Sequence, residues 1–247
     1  MEYGIKGFRK FIGTAVRKAL GSVILTVTQE PVVVLTFDDG PDSEFISRLL
    51  ELLEGHQAQG TFFMVGESAQ MYPDLVRRVA KGGHAIGSHS WNHCPFPLLG
   101  SRERRAQLRA CEQALAPYGQ RLFRPPYGQQ TLASRLDALL LGYEVVCWSL
   151  DVGDWYESDG AVMADHLVKC MVPGGVVLFH DSLFDRGKPF HGLELYRKPW
   201  CDREAMLAAL EMMFERVGDR FRFVTVPELL RYGSPYREFW FKPSQPP

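Results

Sequence analysis

Short apolar runs alternate with longer amphipathic segments along most of the chain, from residue 31 onward. The run Val32–Leu35 contains only β-branched and aliphatic residues, which is typical of a strand buried on both faces. Between such runs, apolar residues recur every three or four positions, as they do on one face of a helix. The predicted strands are Val32–Phe37, Thr61–Val65, Ala85–His89, Leu122–Pro125, Glu144–Leu150, Val176–His180 and Phe221–Val226. The predicted helices are Ser43–His56, Pro73–Lys81, Arg102–Ala116, Thr131–Leu141, Gly160–Met171 and Arg203–Val217.

This alternation of strands and helices defines the fold class. Strands separated by helices of about ten or more residues form parallel βαβ units, so the class is α/β. About seven such units suit a barrel better than an open sheet, and we therefore predict an α/β barrel of about seven parallel strands. The chain contains no internal repeat, low-complexity tract or Pro/Gly-rich linker, so residues 31–247 are predicted to form one domain.

Residues 1–30 form a lead-in segment with a pattern of its own. Between residues 5 and 20, apolar side chains fall on one helical face and basic side chains fall off it. Such a helix could pack against the barrel, or it could lie on an anionic membrane surface. The apolar positions are Ile5, Phe8, Ile12, Val16 and Ala19, and the basic positions are Lys6, Arg9, Lys10, Arg17 and Lys18.

Composition and charge argue against several classes of protein. The net charge is −1 and the pI is about 6.7, so we expect no nucleic-acid partner. Five scattered cysteines without a C-x-x-C pair favour reduced thiols over a disulfide framework. The sequence shows no membrane span and no signal-peptide cleavage pattern. We therefore expect a cytoplasmic protein, which the N-terminal segment could attach peripherally to the inner membrane surface.

The candidate chemistry begins where the strand Val32–Phe37 ends. Asp38 and Asp39 follow it directly, before a turn at Gly40 and Pro41. Two adjacent carboxylates repel each other, and burial makes that repulsion more costly. A cation beside them would relieve both effects, whereas a helix cap, the alternative role, needs only one polar residue. The stretch therefore favours a cation site.

A second polar cluster lies at the end of the strand Ala85–His89. His89 and His93 are four residues apart, and on one turn of helix both imidazoles would point the same way. Two histidines and one carboxylate leave a coordination position open on zinc, as in catalytic sites. The spacing does not decide between Asp38 and Asp39 as the carboxylate ligand. We predict a divalent metal, with Zn²⁺ favoured and Co²⁺, Ni²⁺ or Fe²⁺ also compatible.

Three further strands end in side chains that suit catalysis. Arg124 precedes two prolines, so a rigid backbone would aim its guanidinium; a surface arginine at a turn is the alternative. Asp154 could orient a neighbouring group. His180 ends an apolar strand, where it could be a general acid or a satisfied core residue. Because the carboxyl ends of parallel strands meet on one face of a barrel, the five strand ends together predict one active site there.

These motifs match those of a known family. The chain resembles the NodB-homology polysaccharide deacetylases, carbohydrate esterase family 4, by motif over residues 36–180 and by strand pattern to about residue 230. The resemblance implies a distorted barrel with fewer strands than the eight of a TIM barrel, and metal-assisted hydrolysis of an N-acetyl group on a sugar. The motifs are Thr36-Phe37-Asp38-Asp39-Gly40-Pro41, His89-Ser90-x-x-His93, Arg124-Pro125-Pro126-Tyr127, Asp151-x-x-Asp154-Trp155 and Leu178-x-His180.

The resemblance also implies which residues hold the metal and activate water. Asp39, His89 and His93 would bind the metal, and this choice of Asp39 rests on the resemblance alone. Asp38 would be the general base that takes a proton from water. Arg124 would hold Asp38 in place.

The second set of implied roles concerns the leaving group and the acyl pocket. His180 would be the general acid, and Asp154 would orient it. The backbone N–H of Tyr127 would complete the oxyanion site. Trp155 and Leu178 would line the pocket for the acetyl methyl group.

The predicted substrate is an N-acetylated saccharide, whether polymeric, oligomeric or lipid-linked. Aromatic and basic residues interleave over residues 181–201 and could form a lid over a phosphate-bearing sugar; an ordinary packed loop is the alternative. With the basic N-terminal segment, this pattern favours a small or lipid-linked substrate. Two other functions stay open. One is another amide hydrolase on the same scaffold, a deformylase or a cyclic-amide hydrolase, and the other is a non-catalytic carbohydrate-binding protein.

Overall fold

The computed structural model describes residues 20–42, 45–184 and 203–238. The strands are β1 Ser22–Val27, β2 Val32–Asp38, β3 Gly60–Met64, β4 Ala85–Ser88, β5 Leu122–Phe123, β6 Glu144–Val145, β7 Leu150–Asp151, β8 Val176–His180, β9 Arg222–Phe223 and β10 Ser234–Glu238. The α-helices are α1 Ile46–Gly55, α2 Gly66–Met71, α3 Pro73–Lys81, α4 Ser101–Leu115, α5 Leu132–Leu140, α6 Gly160–Cys170, α7 Arg203–Val217 and α8 Val226–Leu229. The short helices α2 and α8 are not among the predicted ones.

Seven parallel strands form a strongly curled half-barrel with helices packed around it. Their order across the sheet is β6-β5-β4-β3-β2-β8-β7, and β9 pairs with the beginning of β2. Each neighbouring pair on this path is parallel, as the alternation of strands and helices predicts. The predicted α/β fold, a distorted barrel of about seven parallel strands, is therefore confirmed.

The predicted strand Glu144–Leu150 is in fact two short strands at opposite ends of the sheet. β6 pairs with β5, and β7 pairs with β8. Residues 146–149 therefore carry the chain from one edge of the curled sheet to the other. The hydrophobic pattern does not show this break, because Val146 and Cys147 are buried within the crossing and continue the apolar run.

Strands β1 and β10 form an antiparallel ribbon that the hydrophobic pattern does not predict. Isolated bridges join Val23 of β1 to Val146 and Leu25 to Gly175, so the ribbon packs where the chain crosses between the sheet edges. Residues 1–19, with the amphipathic pattern, and residues 185–202, with most of the suspected lid, lie outside the described residues, so both hypotheses stay predictions. Within the described residues, no helix is both long and apolar enough to cross a membrane.

Side chains along β2 alternate between two apolar layers. Val33, Leu35 and Phe37 pack outward against the helices, whereas Val32 and Val34 pack inside the half-barrel. Burial of each such side chain stabilises the fold by roughly 1.5–3 kcal/mol. Because residues two apart share a face of a strand, the inner row continues with the polar residues at the carboxyl end. The inner face of β2 is therefore apolar at the amino end, with Val32 and Val34, and polar at the carboxyl end, with Thr36 and Asp38.

Candidate active site

Strand β2 carries two adjacent carboxylates to the carboxyl end of the half-barrel. Asp38 is its last residue, and Asp39 follows with a φ of 78°, in the left-handed region that non-glycine residues rarely occupy. Asp38 is 3% exposed and Asp39 is 5% exposed. Burying two neighbouring carboxylates is unfavourable unless cations or hydrogen bonds compensate for it.

Asp39, His89 and His93 form a cluster with the spacing of a metal site. Asp39 Oδ1 lies 3.4 Å from His89 Nε2 and 3.3 Å from His93 Nε2. One ligand atom from each residue lies within 4.8 Å of the other two. Asp39 Oδ1 is buried and has no hydrogen-bond partner. A divalent cation fits this donor set, because it would satisfy that oxygen and is commonly bound by two imidazoles and a carboxylate.

Hydrogen bonds fix the ring of His89 and the backbone of His93. His89 donates its Nδ1–H to the carbonyl of Arg124 at 2.7 Å, which leaves Nε2 as the lone-pair nitrogen facing Asp39. The backbone N–H of His93 donates to Ser90 Oγ at 3.0 Å. Ser90 and His93 have φ values of 71° and 58°, so the helical turn expected from the spacing is wrong. An irregular loop, and not a helix, brings the two imidazoles together.

The electrostatics of this cluster favour an ionised Asp39. Burial raises the pKa of Asp39, but the charges of the neighbouring histidines, that of His93 first, lower it more when those rings are protonated. The pKa of Asp39 therefore lies well below its usual range. A carboxylate must be deprotonated to bind a metal, so this is the state that a metal ligand needs.

Arg124 is completely buried and holds one oxygen of Asp38. Its Nη1 donates to Asp38 Oδ1 and to Thr36 Oγ1, each at 2.7 Å. Its Nε and Nη2 donate to the carbonyls of Val146 at 3.2 Å and Cys147 at 2.9 Å. These bonds compensate for the buried charge of Arg124. The second oxygen of Asp38, Oδ2, faces the Asp39–His89–His93 cluster and lies 3.7 Å from His89 Nε2.

Strand β8 brings His180 beside Asp38, its partner in register. His180 donates its Nδ1–H to Asp154 Oδ1 at 2.8 Å, and its backbone N–H donates to Asp154 Oδ2 at 2.8 Å. Burial lowers the pKa of His180, but the charge of Asp154 and the hydrogen bond to it raise that pKa more, to about 9. The imidazole is therefore protonated at neutral pH, with Nε2–H as its second donor.

Arg203, at the start of α7, also contacts this pair and was missed by the sequence analysis. It is 1% exposed, and its Nη1 donates to Asp154 Oδ2 and to the carbonyl of His180, each at 2.8 Å. Burial raises the pKa of Asp154, but the positive charges of His180 and Arg203 lower it more. The sequence gives no signal for this contact, because an arginine at the start of a predicted helix usually lies on the surface.

Asp181 is a second buried group that the sequence analysis missed. Its Oδ1 accepts the backbone N–H of Gly40 at 3.1 Å. Burial raises the pKa of Asp181 to about 8, despite the hydrogen bond from Gly40 that opposes this. A Cβ atom at Gly40 would lie 2.0 Å from Asp181 Oδ2, so a larger residue would not fit there without displacing Asp181. The pair joins the loops that follow β2 and β8.

Tyr127 lies in the short 3-10 turn Pro126–Gly128 and has a φ of 58°. Its ring centroid is 4.5 Å from that of His93. Of the five described non-glycine residues with positive φ, four lie at this site, and the fifth is Gln57. Each such residue costs on the order of 1–3 kcal/mol in backbone strain, and such strain tends to concentrate at functional sites.

Leu178 and Trp155 lie near His180 at different depths. Leu178 is two residues before His180 on β8, so both side chains are on the same face of the sheet, and Leu178 is buried. Trp155 follows Asp154 and is partly exposed, with its ring centroid 4.6 Å from that of Tyr156. The structure thus brings all the predicted site residues to the carboxyl end of the sheet.

A separate cavity of about 470 Å³ lies at the opposite end, near the beginnings of β3 and β4. Among its lining residues is His84, whose Nδ1 accepts the backbone N–H of Gly60 at 3.0 Å. Burial lowers the pKa of His84 to about 4, so this histidine is a neutral packing residue at physiological pH. Among the described residues, the cluster at the carboxyl end is the group able to hold a metal ion.

The structure is that of an α/β half-barrel protein with a candidate metal site of one aspartate and two histidines at its strand ends. Comparison with known proteins identifies its family. The polysaccharide deacetylase family model matches residues 26–146. A peptidoglycan-N-acetylglucosamine deacetylase from Bacillus cereus is 36% identical over 204 residues, which cover 81% of this chain and 68% of the relative. A chitooligosaccharide deacetylase from Sinorhizobium fredii is 32% identical over 200 residues, which cover 78% of this chain and 88% of the relative.

A solved structure supports the same assignment. The crystal structure of the Bc1960 peptidoglycan N-acetylglucosamine deacetylase matches 88% of this chain and 96% of its own, with a TM-score of 0.75 and 27% sequence identity. The chain therefore belongs to the polysaccharide deacetylase family, as the five sequence motifs predict.

Proposed function

We propose that the protein hydrolyses N-acetyl groups on amino sugars within a saccharide. The observation that carries the proposal is the meeting of the Asp39–His89–His93 cluster, Asp38 and His180 at one end of the sheet. Amide hydrolysis needs an activated water, a stabilised oxyanion and a protonated leaving amine. The names of the two relatives, deacetylases of peptidoglycan and of chitooligosaccharide, support an N-acetylated amino sugar as the substrate.

Asp39, His89 and His93 are the residues that would hold a divalent metal, most suitably Zn²⁺. When bound, such a metal supplies a Lewis acid that polarises the acyl oxygen and makes water more acidic. Two of the three ligand side chains already have the protonation state that metal binding needs. Asp39 is ionised, and the carbonyl of Arg124 fixes the His89 tautomer in which Nε2 offers its lone pair.

Asp38 would act as the general base. Arg124 occupies its Oδ1, so Oδ2 would take the proton from the attacking water while the water oxygen bonds to the acyl carbon. Because the guanidinium is held by the carbonyls of Val146 and Cys147, the carboxylate keeps one orientation. That arrangement would save the entropy of ordering the base for each turnover.

His180 would act as the general acid for the leaving amine. Its Nδ1–H is engaged by Asp154, so Nε2–H is the proton available to the nitrogen as the C–N bond breaks. With one proton moved from water to Asp38 and one from His180 to the amine, the immediate products are acetic acid and a free amine. The acetic acid then loses its proton to give acetate, and Asp38 releases its proton as His180 regains one. A pKa of about 9 keeps His180 in its acid form at neutral pH.

The acyl group would lie between Tyr127 and Leu178. The left-handed backbone of Tyr127 directs its N–H differently from that of an extended residue, and we assign this N–H to the developing oxyanion. A well-placed donor of this kind contributes about 3–4 kcal/mol to transition-state stabilisation. Leu178, buried on the face of β8 that carries His180, and Trp155 would contact the acetyl methyl group.

An acyl-group panel tests this proposal against other amide hydrolases. The purified protein, loaded with Zn²⁺, is given one glucosamine oligosaccharide carrying N-acetyl, N-formyl or N-propionyl groups, and a cyclic amide. We expect acetate release to be fastest, since contacts of Leu178 and Trp155 with the methyl group would be absent with a formyl group and crowded with a propionyl group. Faster formate release or ring opening would assign the site to a deformylase or a cyclic-amide hydrolase. Binding without hydrolysis of any member would favour a carbohydrate-binding protein.

A further inference from the structure

Arg203 lies outside every motif of the sequence, yet it is one of the most deeply buried charged residues of the described chain. Only 1% of its surface is exposed. It begins α7, far from the strand ends in sequence, and its guanidinium reaches the loop after β7 and the end of β8. A buried guanidinium is stabilised only where anionic or carbonyl oxygens compensate for lost hydration.

The guanidinium of Arg203 joins both members of the acid pair. Nη1 donates to Asp154 Oδ2 at 2.8 Å and to the backbone carbonyl of His180 at 2.8 Å. Nη2 donates to the backbone carbonyl of Asp154. One rigid, planar group therefore fixes the side chain and the backbone of Asp154, and also the backbone of His180.

These contacts determine which oxygen of Asp154 faces the imidazole. Oδ2 accepts from Arg203 and from the backbone N–H of His180, so Oδ1 is left for the Nδ1–H of the ring at 2.8 Å. If the guanidinium were absent, the carboxylate could rotate and the ring could follow it. A misplacement of about 1 Å costs on the order of 10²-fold in rate.

We propose that Arg203 is a positioning residue that holds Asp154, and through it the His180 general acid, in the orientation needed to protonate the leaving amine. This inference rests on the proposed function, because it assigns Arg203 to the acid half of the same reaction. Arg203 contacts no reacting atom and acts only through the pair.

The charge of Arg203 also limits how strongly His180 keeps its proton. Asp154 raises the pKa of His180, and Arg203 neutralises part of the negative charge that does so. Removal of Arg203 should therefore raise the pKa of His180 further and move the basic limb of the pH–rate profile to higher pH. Within the described residues, the charged and titratable groups that interact with His180 are Asp38 at the end of β2, Asp39 after it, Asp151 and Asp154 from β7 and its loop, and Arg203 from α7.

The test compares Arg203→Met and Arg203→Lys with a matched control, Arg216→Met. Arg216 lies on the same helix but is 42% exposed and pairs with Asp165 at the surface. For each zinc-loaded variant, kcat, KM, the pH–rate profile of acetate release, metal content and folded fraction are measured. A ¹⁵N NMR titration of the imidazole of His180 in the wild type and Arg203→Lys reports its tautomer and pKa independently of activity.

We expect Arg203→Met to lower kcat about 10²-fold and Arg203→Lys about 10-fold, with KM and metal content within about 2-fold of wild type. The methionine variant should also shift its basic limb upward, and the lysine variant, which keeps the charge, should not. Arg216→Met should match wild type. If Arg203→Met fails to fold, the lysine variant and the NMR titration decide.

Either of two results would overturn the inference. One is a kcat for both Arg203 variants equal to that of Arg216→Met, or reduced only in proportion to the folded fraction. The other is an unchanged ring tautomer of His180, read above its pKa, in Arg203→Lys together with an unchanged kcat. If the wild type itself releases no acetate, the proposed function fails, while the NMR titration still shows whether Arg203 orients the pair.

Discussion

The side chain of His180 is only 16% exposed, and its imidazole is nevertheless protonated at neutral pH. Burial alone would favour the neutral ring, but the carboxylate of Asp154 accepts its Nδ1–H and supplies a compensating charge. A pKa of about 9 means that the ring is almost entirely in its acid form at pH 7. The proposed base, Asp38, also has a partner of opposite charge, since Arg124 donates a hydrogen bond to one of its oxygens.

Replacing Asp154 by Asn should move the basic limb of the pH–rate profile to lower pH. The acid form of His180 is needed, so wild-type turnover should fall as the pH rises through about 9. Without the charge of Asp154, burial would dominate and lower the pKa of His180. The measurement is kcat from pH 6 to 10, with Asp165→Asn, an exposed acid, as control. An Asp154→Asn profile with the basic limb of the wild type would show that Asp154 does not set this pKa.

Replacing His180 by Ala should lower kcat by about 10²–10⁴-fold while the metal stays bound. Replacing His93 by Ala should remove the metal and the activity together, because a ligand is lost from the Asp39 cluster.

Metal content and acetate release are measured on the His180→Ala and His93→Ala variants, with the exposed His166→Ala as control. Normal turnover in His180→Ala would rule out its role as general acid, and full metal content in His93→Ala would rule out its role as a ligand.

At the scale of elements, strands place the site residues predictably and loops do not. Asp38 and His180 end neighbouring parallel strands in register, so the sequence pattern predicts their proximity. The spacing of His89 and His93 predicts a helical turn, yet the structure has a loop with left-handed residues there. Arg203 carries no signal, because its partners are fixed only by the tertiary fold.

The choice between Asp38 and Asp39 as metal ligand illustrates the same limit. The sequence alone leaves it open, and the resemblance assigns Asp39. In the structure, Asp39 Oδ1 is close to both imidazole Nε2 atoms, at 3.4 and 3.3 Å, while Asp38 Oδ2 is 3.7 Å from that of His89. Arg124 occupies the other oxygen of Asp38, and this contact between distant strands cannot be deduced from spacing.

Helices α4 and α5 are joined by a buried ion pair whose loss should destabilise the fold without changing the site. Asp137 accepts hydrogen bonds from Arg104 at 2.8 Å and from Arg105 at 3.0 Å. Asp137→Ala would leave Arg104 buried without its carboxylate, so the free energy of unfolding should fall by about 3–5 kcal/mol.

Urea denaturation measures this change, with Asp165→Ala as the exposed control, expected to change stability by less than about 0.5 kcal/mol. Metal content and kcat per folded Asp137→Ala molecule should equal those of wild type. A loss smaller than about 1 kcal/mol would show that the Arg104 pair contributes little to stability.

At the scale of the whole molecule, the half-barrel gathers five separate chain segments at one end. The alternation of strands and helices was sufficient to predict this, because parallel strands send their carboxyl ends to the same face. The β1–β10 ribbon was not predictable in the same way, since it pairs residues from the two ends of the described chain. Local pattern carries no information on such a long-range pairing.

Metal should stabilise the whole fold, because it would bind the native cluster and not the unfolded chain. Zn²⁺ at about 100 times its Kd should add about 2.7 kcal/mol, which corresponds to roughly 5–10 °C in Tm for a chain of this size. Differential scanning calorimetry of metal-free protein with and without Zn²⁺ measures this shift. His93→Ala should show little or none, and an equal shift in that variant would place the stabilising ion elsewhere.

The first measurement to make is acetate release from an N-acetylglucosamine oligosaccharide by purified protein whose metal is counted, before chelation, after chelation and after return of one equivalent of Zn²⁺. We predict that acetate release is lost when the metal is removed and restored when it returns, with one ion bound at Asp39, His89 and His93. Undiminished acetate release by protein shown to be metal-free would contradict the metal-dependent mechanism. A stoichiometrically loaded protein that releases no acetate from any N-acetylated saccharide would contradict the proposed function itself.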